Sequence, residues 1–430
     1  MNCCQKRGSS RYLLVLISAL QSLYFSAFGA SNDVASVPLG ESSLPIVAFD
    51  FEMEGNLIHI VWLDGRSQLF YSRKENGQAS WTRPALIGKG GKPCLKLAPD
   101  GLHLITASGY SLSHFEKERD ADSWRQLPPI TDANELIQGF DAVIAGRELL
   151  VAYLLPRNQT RLRVVRWSGS SLTAPVTVTA AEASGLECTV KLAATERELH
   201  VLWSQGSWVQ HTKKAISSRA ELFYSRTTNG GVAWTPPVNV SMFANRGASS
   251  LGTGKGTQLI TPDSIELVVS GTELFAFYRD GIPLMTTSTD GQVWRPAVSL
   301  SPYPAGWIKG KSITATFQRD CVRVCWIDNR FEQRDKRLNP LGGFPWSDAN
   351  PAWGNNDVLT YCIAPAELRE FSRGRVEPLR VTQPLSYTRS IQSKKAGDHV
   401  YLFWLGVRAV RKSATGSNVQ NSEIFFQFFN

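Results

Sequence analysis

The stretch LFYSRTTNGGVAW occupies residues 222–234, and residues 69–81 read LFYSRKENGQASW, so that eight of the thirteen positions are identical. Similar apolar runs precede the two copies, IHIVW at 58–62 and LHVLW at 199–203. TRPALI follows the first copy and TPPVNV follows the second. Self-similarity of this kind indicates a repeat architecture, in which each copy is one structural unit.

The same unit recurs about seven times, and the short intervals between copies are close to 45–50 residues, which is typical of four-stranded propeller blades. Each unit has an alternating strand, a turn, an apolar strand, a third strand, a Gly-rich turn and a strand opened by Trp. Besides the two copies above, it is found at 275–300, at 322–330 with 357–363, at 400–406 with 423–429, and more weakly at 102–116 and 149–167. The central residues of the second strands are Trp62, Ile105, Tyr153, Trp203, Phe277, Trp326 and Trp404.

We therefore predict an all-β fold: a single β-propeller with four-stranded antiparallel blades. Seven blades are expected, or six if the two weak units are merged. The last unit ends after its third strand, so residues 38–46 are expected to supply its outer strand and close the ring. The predicted propeller domain spans residues 38–430.

Residues 1–30 are a different kind of segment. Lys6, Arg7 and Arg11 precede the apolar run YLLVLISALQSLYFSAFGA, which ends in small residues. This pattern predicts a secretory signal peptide cleaved near Gly29 or Ala30, and hence export to the medium, the periplasm or the cell surface. The alternative is an uncleaved anchor, and only in that case is the protein expected at a membrane.

The net charge limits the class of partner that is expected. Cleavage of the signal removes three positive charges and takes the formal net charge from +9 to +6. A mildly basic chain favours acidic partners. No RNP, helix-turn-helix or zinc-finger pattern is present, so no nucleic-acid partner is predicted.

Five of the seven cysteines lie outside the signal, and none of them forms a CxxC pair. Cys325 and Cys362 fall on adjacent predicted strands and could form one disulfide. The alternative is that these cysteines are small buried hydrophobic residues.

The Gly-rich turns carry a family resemblance. The pattern T-x-N-x-G-x-x-W, formed by Thr227, Asn229, Gly231 and Trp234, resembles the Asp-box or BNR repeat of sialidase-like propellers, S/T-x-D-x-G-x-x-W. Ser288, Asp290, Gly291 and Trp294 form the same motif one residue short, and Asn76 with Trp81 is a degenerate copy. Asn or Asp can hydrogen-bond its own turn, Gly accepts φ > 0, and Trp packs the turn onto the blade. The resemblance implies that these turns are structural and lie on the face away from a binding site.

The opposite face carries the long predicted loops: 204–221, 241–263, 331–356 and 407–422. Loops of this length in a compact domain are usually functional or disordered. The 331–356 loop is rich in aromatic residues, so we interpret it as a packed flap. These loops and the shorter ones are also basic, and the candidate ligand-binding residues are Arg66, Arg279, Arg330, Lys255, Trp346 and Trp353. Guanidinium groups grip carboxylates, and aromatic faces stack on sugar rings. Arg66, Arg279 and Arg330 each follow the end of a second strand, so we expect them to approach the channel mouth. The alternative pairs each of them with a neighbouring Asp.

Catalysis stays open. The sialidases that this chain resembles carry an early F/Y-R-I-P motif, which is absent here. Two carboxylates must flank a bond for glycoside hydrolysis, and the candidates are Asp64, Asp280 and Asp328, which could equally be turn residues. No serine-hydrolase elbow, HExxH or P-loop is present, so no cofactor and no metal is predicted.

Three functional hypotheses follow. The first is an exported propeller that recognises an acidic glycan or polysaccharide, and that, if it is an enzyme, is a glycoside hydrolase of the sialidase-like type. The second is a non-catalytic propeller that binds a protein partner through the 331–356 flap. The third is a scaffold in an envelope assembly.

Overall fold

A computed structural model describes the propeller over most of its length. The described residues are 35–37, 44–76, 78, 80–119, 121–131, 136–155, 161–179, 189–212, 215–241, 259–260, 264–280, 282–300, 312–328, 357–369, 378–382, 388–412 and 418–429. The predicted signal segment, the predicted flap at 331–356 and most of 241–263 lie outside them. Within the described part of the chain, no helix has the length and apolar composition needed to cross a bilayer.

Seven antiparallel sheets form the seven blades, as the repeat predicted. The strands of each blade are called A to D from the inner to the outer edge. The weak units at 102–116 and 149–167 belong to separate blades, so the six-bladed alternative is excluded. Blade one consists of β2 (Ile46–Glu54), β3 (Leu57–Asp64), β4 (Gln68–Glu75) and β5 (Ala85–Lys89). Blade two consists of β6 (Pro93–Ala98), β7 (Gly101–Ala107), β8 (Leu112–Glu118) and β9 (Arg125–Leu127). Blade three consists of β10 (Gly139–Ala145), β11 (Glu148–Leu155), β12 (Arg161–Trp167) and β13 (Val176–Thr179).

Blades four to six have the same order, with one added strand in blade four and one short helix in blade six. Blade four consists of β14 (Val190–Ala194), β15 (Leu199–Thr212), β16 (Ala215–Thr227) and β17 (Val238–Asn239), with β18 (Leu259–Ile260) parallel to β16. Blade five consists of β19 (Ile265–Ser270), β20 (Glu273–Asp280), β21 (Ile282–Ser288) and β22 (Val298–Ser299). Blade six consists of β23 (Ile313–Gln318), β24 (Cys321–Asp328), β25 (Asp357–Ile363), α1 (Pro365–Arg369) and β26 (Leu379–Arg380).

Blade seven closes the ring with a strand from the other end of the chain. Its strands A to C are β27 (Thr388–Ala396), β28 (His399–Lys412) and β29 (Asn418–Phe429), and strand D is β1 (Ala35–Val37). Ala35 pairs with Phe426 and Val37 with Ile424. The closing strand therefore precedes the predicted segment 38–46, because Ile46 already begins strand A of blade one.

Apolar packing between blades holds the ring together. The A strands contact one another in sequence, and β27 returns to β2. All seven predicted central residues of the B strands are buried. Phe51 of blade one, for example, stacks on Phe403 of blade seven with ring centroids 4.1 Å apart. Every interface between blades is thus a small hydrophobic core.

Two of the predicted long loops are strands. Residues 204–221 extend β15 and β16 into one long hairpin, with Ser204 opposite Leu222 and Gln210 opposite Ile216. Residues 407–422 do the same for β28 and β29. Polar and charged residues in these stretches suggested loops, but backbone pairing continues along strands that project beyond the blade, where both faces can be polar.

The predicted disulfide partner of Cys362 was wrong. Cys362 is bonded to Cys321, and Cys325 is free and buried. The strand register explains the difference, since it places Cys325 opposite Thr360, whose hydroxyl lies 3.2 Å from the thiol. Cys321, at the start of β24, is the cysteine that reaches Cys362.

Candidate functional site

The two ends of the propeller differ in their connections. All A strands run in the same direction, so the A–B and C–D turns share one end, called the lower end. The B–C and D–A connections share the other, called the upper end. The turns at 74–81, 227–234 and 288–294 each join strand C to strand D, so all three lie at the lower end as predicted.

Side-chain hydrogen bonds close the turn at the lower end of blade four. Thr227 Oγ1 donates to Asn229 Oδ1 at 2.6 Å, and Asn229 Oδ1 also accepts the N–H of Ala233 at 3.0 Å. Trp234 Nε1 donates to the carbonyl of Gly231 at 3.1 Å. Gly231 has φ of +90°, a conformation that favours glycine.

Blade five repeats the arrangement with a carboxylate. Asp290 Oδ1 accepts the N–H groups of Gln292 at 2.8 Å and Val293 at 2.9 Å. These backbone hydrogen bonds lower the pKa of Asp290 below its usual value. Trp294 Nε1 donates to the carbonyl of Gly291 at 3.2 Å. The carboxylate and the indole therefore fix a tight turn, which is a structural role.

The tryptophans of these turns pack on the preceding blade. Trp294 lies against Tyr224 of blade four, and Trp81 lies edge-on to Phe426 of blade seven with centroids 6.1 Å apart. Trp234 packs in the cluster that contains Leu150 of blade three. Asn76 contributes in the same way, because its Nδ2 donates to Tyr401 OH of blade seven at 3.1 Å. The turns thus join neighbouring blades, whereas the sequence had suggested packing within one blade.

Charged side chains of the A strands line the central channel and pair with one another. Lys394 Nζ lies 3.0 Å from Asp50 Oδ1 and 2.8 Å from Glu52 Oε1, which joins blade seven to blade one. Lys191 Nζ lies 3.1 Å from Glu266 Oε1, which joins blade four to blade five. Among the described residues, ion pairs therefore balance charges of the A strands at two junctions between blades.

Asp141 is a buried carboxylate of strand A in blade three. Burial acts to raise the pKa of Asp141, but Lys191, Lys96 and the N–H of Leu192 outweigh it, so the pKa lies below its usual value. The Leu192 N–H donates to Asp141 Oδ2 at 2.9 Å. Asp141 is thus ionised and fully engaged, which favours a structural role in the channel.

Buried histidines at the lower end were not identified in the sequence. His59 Nδ1 lies 2.8 Å from Tyr71 OH, and His200 Nδ1 lies 2.8 Å from Tyr224 OH. Burial lowers the pKa of each histidine to about 4, although Glu54 and Glu198 oppose the shift. The repeated motifs IHIVW and LHVLW contained the signal, since one polar residue recurs at the same position of an apolar strand.

The three candidate catalytic carboxylates occupy equivalent positions, each as the last residue of strand B. Asp64 is buried, and its Oδ1 accepts the N–H groups of Arg66 at 2.8 Å and Gln68 at 2.9 Å. Asp328 is buried and accepts the indole N–H of Trp326 at 3.1 Å. The backbone of Asp280 pairs with Ile282 across the start of the turn. Their catalytic role stays a prediction.

Two of the six candidate ligand-binding residues lie in the described part of the chain. Arg66 is exposed in the B–C turn of blade one. Arg279 is half-buried in β20, where it has an interaction partner, and its backbone N–H donates to the Ser264 carbonyl at 3.1 Å. The remaining candidates, Arg330, Lys255, Trp346 and Trp353, lie outside the described residues.

Arg66 belongs to a cationic group that the chain order alone does not bring together. Lys89 is paired with Gln68 at the end of the β4–β5 ladder, and the N–H of Gly90 donates to the Ser67 carbonyl at 3.0 Å. The segment GKGGK therefore lies directly beside the turn that carries Arg66. Lys89 and Lys92 are exposed, as Arg66 is.

Two glycines let this segment press against blade two. Gly91 donates its N–H to Thr106 Oγ1 at 2.8 Å, and a Cβ on Gly91 would lie 2.2 Å from the Ala107 carbonyl oxygen. A Cβ on Gly90 would lie 2.6 Å from Thr106 Oγ1. The contact places the lysines next to the B–C turn of blade two, which carries Tyr110. Tyr110 is 57% exposed.

We call Arg66, Lys89, Lys92 and Tyr110 the upper corner. Among the residues that the structure describes, none of its three cations is within ion-pair distance of a carboxylate. The neighbouring Asp64 uses its carboxylate on backbone N–H groups instead. The upper corner is therefore an open cationic surface with an exposed aromatic ring.

Comparisons with known proteins concern the fold. No protein-family model matches this chain, and no curated protein matches it either. Among solved structures, the BP39L lectin from Burkholderia pseudomallei is 13% identical with a TM-score of 0.54, over 85% of this chain and 95% of the lectin. This likeness confirms the propeller architecture that the resemblance to sialidase-like proteins implied.

Two further structures are similar at lower scores. The polysaccharide lyase Uly1 is 7% identical with a TM-score of 0.47, over 88% of this chain and 89% of the lyase. A subtype N10 neuraminidase-like protein of the strain A/little yellow-shouldered bat/Guatemala/060/2010 is 9% identical with a TM-score of 0.40, over 94% of this chain and 98% of that protein.

Proposed function

We propose that this protein is an exported propeller that binds an acidic glycan at the upper corner. The observation that carries the proposal is that Arg66, Lys89 and Lys92 are exposed and have no ion-pair partner among the described residues. Such cations can grip carboxylate or sulfate groups. Tyr110, exposed beside them, offers a ring face for a sugar. The lectin neighbour is consistent with this use of the fold.

Binding without hydrolysis is the form of the proposal that the contacts favour. A glycosidase needs two carboxylates free to act on one bond. Asp64 is held by two backbone N–H groups and Asp328 lies buried against Trp326. Both fit turn and strand-end roles.

Export rests on two observations. Residues 1–30 have the composition of a signal peptide. The Cys321–Cys362 disulfide suits an oxidising compartment, because disulfides persist there and are rare in the cytosol. N-terminal sequencing of protein recovered from the exported fraction tests this part, and a mature chain that still begins at Met1 argues for an anchor.

The turns at 227–234 and 288–294 support a distant relationship to sialidase-like propellers. We propose that they are Asp boxes and that 74–81 is a degenerate copy. Their hydrogen bonds and their indole contacts have the roles that such a motif requires.

Binding to immobilised acidic polysaccharides tests the function. Polygalacturonate presents carboxylates and dextran sulfate presents sulfates, with neutral dextran as the blank. The variant Arg66→Ala/Lys89→Ala/Lys92→Ala should bind about tenfold more weakly, since three exposed contacts contribute about 0.5 kcal/mol each. Salt should weaken wild-type binding, because exposed charges are screened.

A matched control removes the same charge from the lower end. Arg83, Arg147 and Arg197 are exposed in lower-end turns, and Arg83→Ala/Arg147→Ala/Arg197→Ala should bind as the wild type does. Equal losses in the two triple variants would show that only net charge matters. No binding by the wild type would move the choice to the protein-partner hypothesis for the 331–356 flap.

A further inference from the structure

The lower end of blade two departs from the pattern that blades one and four share. In blade one His59 of strand B lies opposite Arg73 of strand C, and in blade four His200 lies opposite Arg226. Arg226 Nη1 pairs with Glu198 Oε1 of the A–B turn at 3.3 Å. At this position the repeat therefore puts a cation beside a histidine and a turn carboxylate.

Blade two has a negatively charged residue at the strand C position where blades one and four have an arginine. His103 takes the position of the histidine, but it lies opposite Glu116. Asp100 in the A–B turn provides a second carboxylate, and its Oδ1 lies 3.1 Å from His103 Nε2. Two carboxylates thus lie near one imidazole, whereas blades one and four have one carboxylate and an arginine there.

The three side chains have the geometry of a cation site. One ligand atom each from Asp100, His103 and Glu116 can be chosen so that all three lie within 4.8 Å of one another. His103 is 1% exposed and Glu116 is 5% exposed, whereas Asp100 is open to solvent. Ligands about 2.0–2.1 Å from a tetrahedral zinc are about 3.4 Å apart, so small side-chain movements would suffice.

A second histidine sets the orientation of the first. His114 occupies the strand C position that is Tyr71 in blade one and Tyr224 in blade four, and its Nε2 lies 3.0 Å from His103 Nδ1. If His103 donates its Nδ1–H to His114, the Nε2 lone pair of His103 is on the side of Asp100, whose Oδ1 lies 3.1 Å away. Metal-ligating histidines are commonly held in this way by an acceptor at the other ring nitrogen.

We infer that Asp100, His103 and Glu116 bind a divalent transition-metal ion, with zinc as the best match. An imidazole ligand favours zinc over magnesium or calcium, and two carboxylates balance its charge. The site clips the A–B turn of blade two to strands β7 and β8, and it leaves one coordination position towards solvent on the side of Asp100. It is at the lower end and is independent of the upper corner.

Arg125 is the competitor for this site. Its Nη2 contacts Glu116 Oε2 at 2.5 Å and lies 3.6 Å from Glu118 Oε1, but its side chain is 65% exposed. An exposed arginine can move away at little cost when a metal arrives. Removal of Arg125 should therefore strengthen metal binding, whereas a purely electrostatic cluster would only lose its cation.

Calorimetric titration of the EDTA-treated, purified protein with ZnCl2 tests the inference. The wild type should bind one zinc ion at this site, and Glu116→Gln should weaken that binding at least about tenfold. Asp100→Asn, at an exposed position, keeps the measurement possible if Glu116→Gln fails to fold. Arg125→Ala should bind zinc more tightly than the wild type.

The matched control is Glu198→Gln in blade four, where the histidine has Arg226 beside it. This variant should bind zinc as the wild type does. A wild type that binds no zinc would overturn the inference. The same holds if zinc affinity is unchanged in both Glu116→Gln and Asp100→Asn, because the metal would then be held elsewhere.

Discussion

Trp294 of blade five packs edge-on against Tyr224 of blade four, with ring centroids 5.3 Å apart and ring planes at 66°. Tyr224 in turn bonds His200 through its hydroxyl. A turn that is recognisable in the sequence is therefore a joint between two blades. The joint depends on such contacts because the sequence has no cysteine between Cys188 and Cys321, so no disulfide can link these two blades.

Trp294→Ala should cost more stability than Trp234→Ala. Trp294 is 2% exposed, whereas Trp234 is only half-buried. Truncation of a buried Trp costs about 3–5 kcal/mol, and the loss is smaller where the side chain already meets water. Urea unfolding of both variants measures the difference. Polysaccharide binding per folded molecule should be unchanged, and a stable Trp294→Ala protein that has lost binding would contradict the structural role.

Gly291→Ala should destabilise the same joint by a different route. Gly291 has φ of +72°, and a Cβ there would lie 2.5 Å from Tyr224 Cε1. The control is Gly271→Ala, where φ is +59° and nothing lies within 4 Å of the added Cβ. Both variants pay for the left-handed backbone, about 1–2 kcal/mol, and only Gly291→Ala adds a clash of about 1–3 kcal/mol. Equal melting temperatures would refute the close packing of this turn.

The buried histidines predict loss of stability in acid. The pKa of His200 is lowered from 6.5 to about 4 in the folded protein, so the unfolded chain takes up a proton first as the pH falls. The stabilisation is complete above about pH 6.5 and is lost progressively towards pH 4, with a slope of up to about 1.4 kcal/mol per pH unit for one histidine.

His200→Gln removes this titration. The free energy of unfolding should then fall less steeply between pH 6.5 and pH 4, whatever the offset at neutral pH. Urea unfolding at several pH values measures the slope. His59→Gln, at the equivalent place in blade one, should behave similarly, because its pKa is also lowered to about 4 by burial. An unchanged slope in both variants would mean that these histidines are not held neutral.

Two substitutions of Asp64 distinguish a role in the turn from a role in catalysis. Asp64→Asn keeps an oxygen that can accept the N–H groups of Arg66 and Gln68, whereas Asp64→Ala leaves both without it. Asp64→Asn should bind acidic polysaccharide as the wild type does, and Asp64→Ala should lose about 1–3 kcal/mol of stability and bind more weakly. Wild-type hydrolysis of a fluorogenic sialoside that disappears in Asp64→Asn would instead support catalysis.

Most of the fold could be predicted because it is local and repeated. Each blade has an apolar second strand with a buried central residue, such as Trp203 or Trp326. Blades four and five also have a turn in which Asn229 or Asp290 bonds its own backbone. These signals depend on neighbouring residues in the chain. The sequence alone therefore determined the β-propeller and the lower-end position of the Trp turns, whereas the structure decided between seven blades and six.

Partners that are distant in the chain were decided only by the tertiary structure. The strand register cannot be read from the spacing of cysteines in the sequence, and it is the register that pairs Cys362 with Cys321 instead of Cys325 in the disulfide. Ring closure placed Ala35–Val37 beside β29. The pairing of Lys89 with Gln68 brought Lys89 and Lys92 beside Arg66, and the packing of Gly91 against Ala107 brought them beside blade two. The pairing of β7 with β8 set Glu116 opposite His103. The physical reason is the same in each case: a repeat specifies what one blade is, while contacts between strands and blades specify which side chains meet.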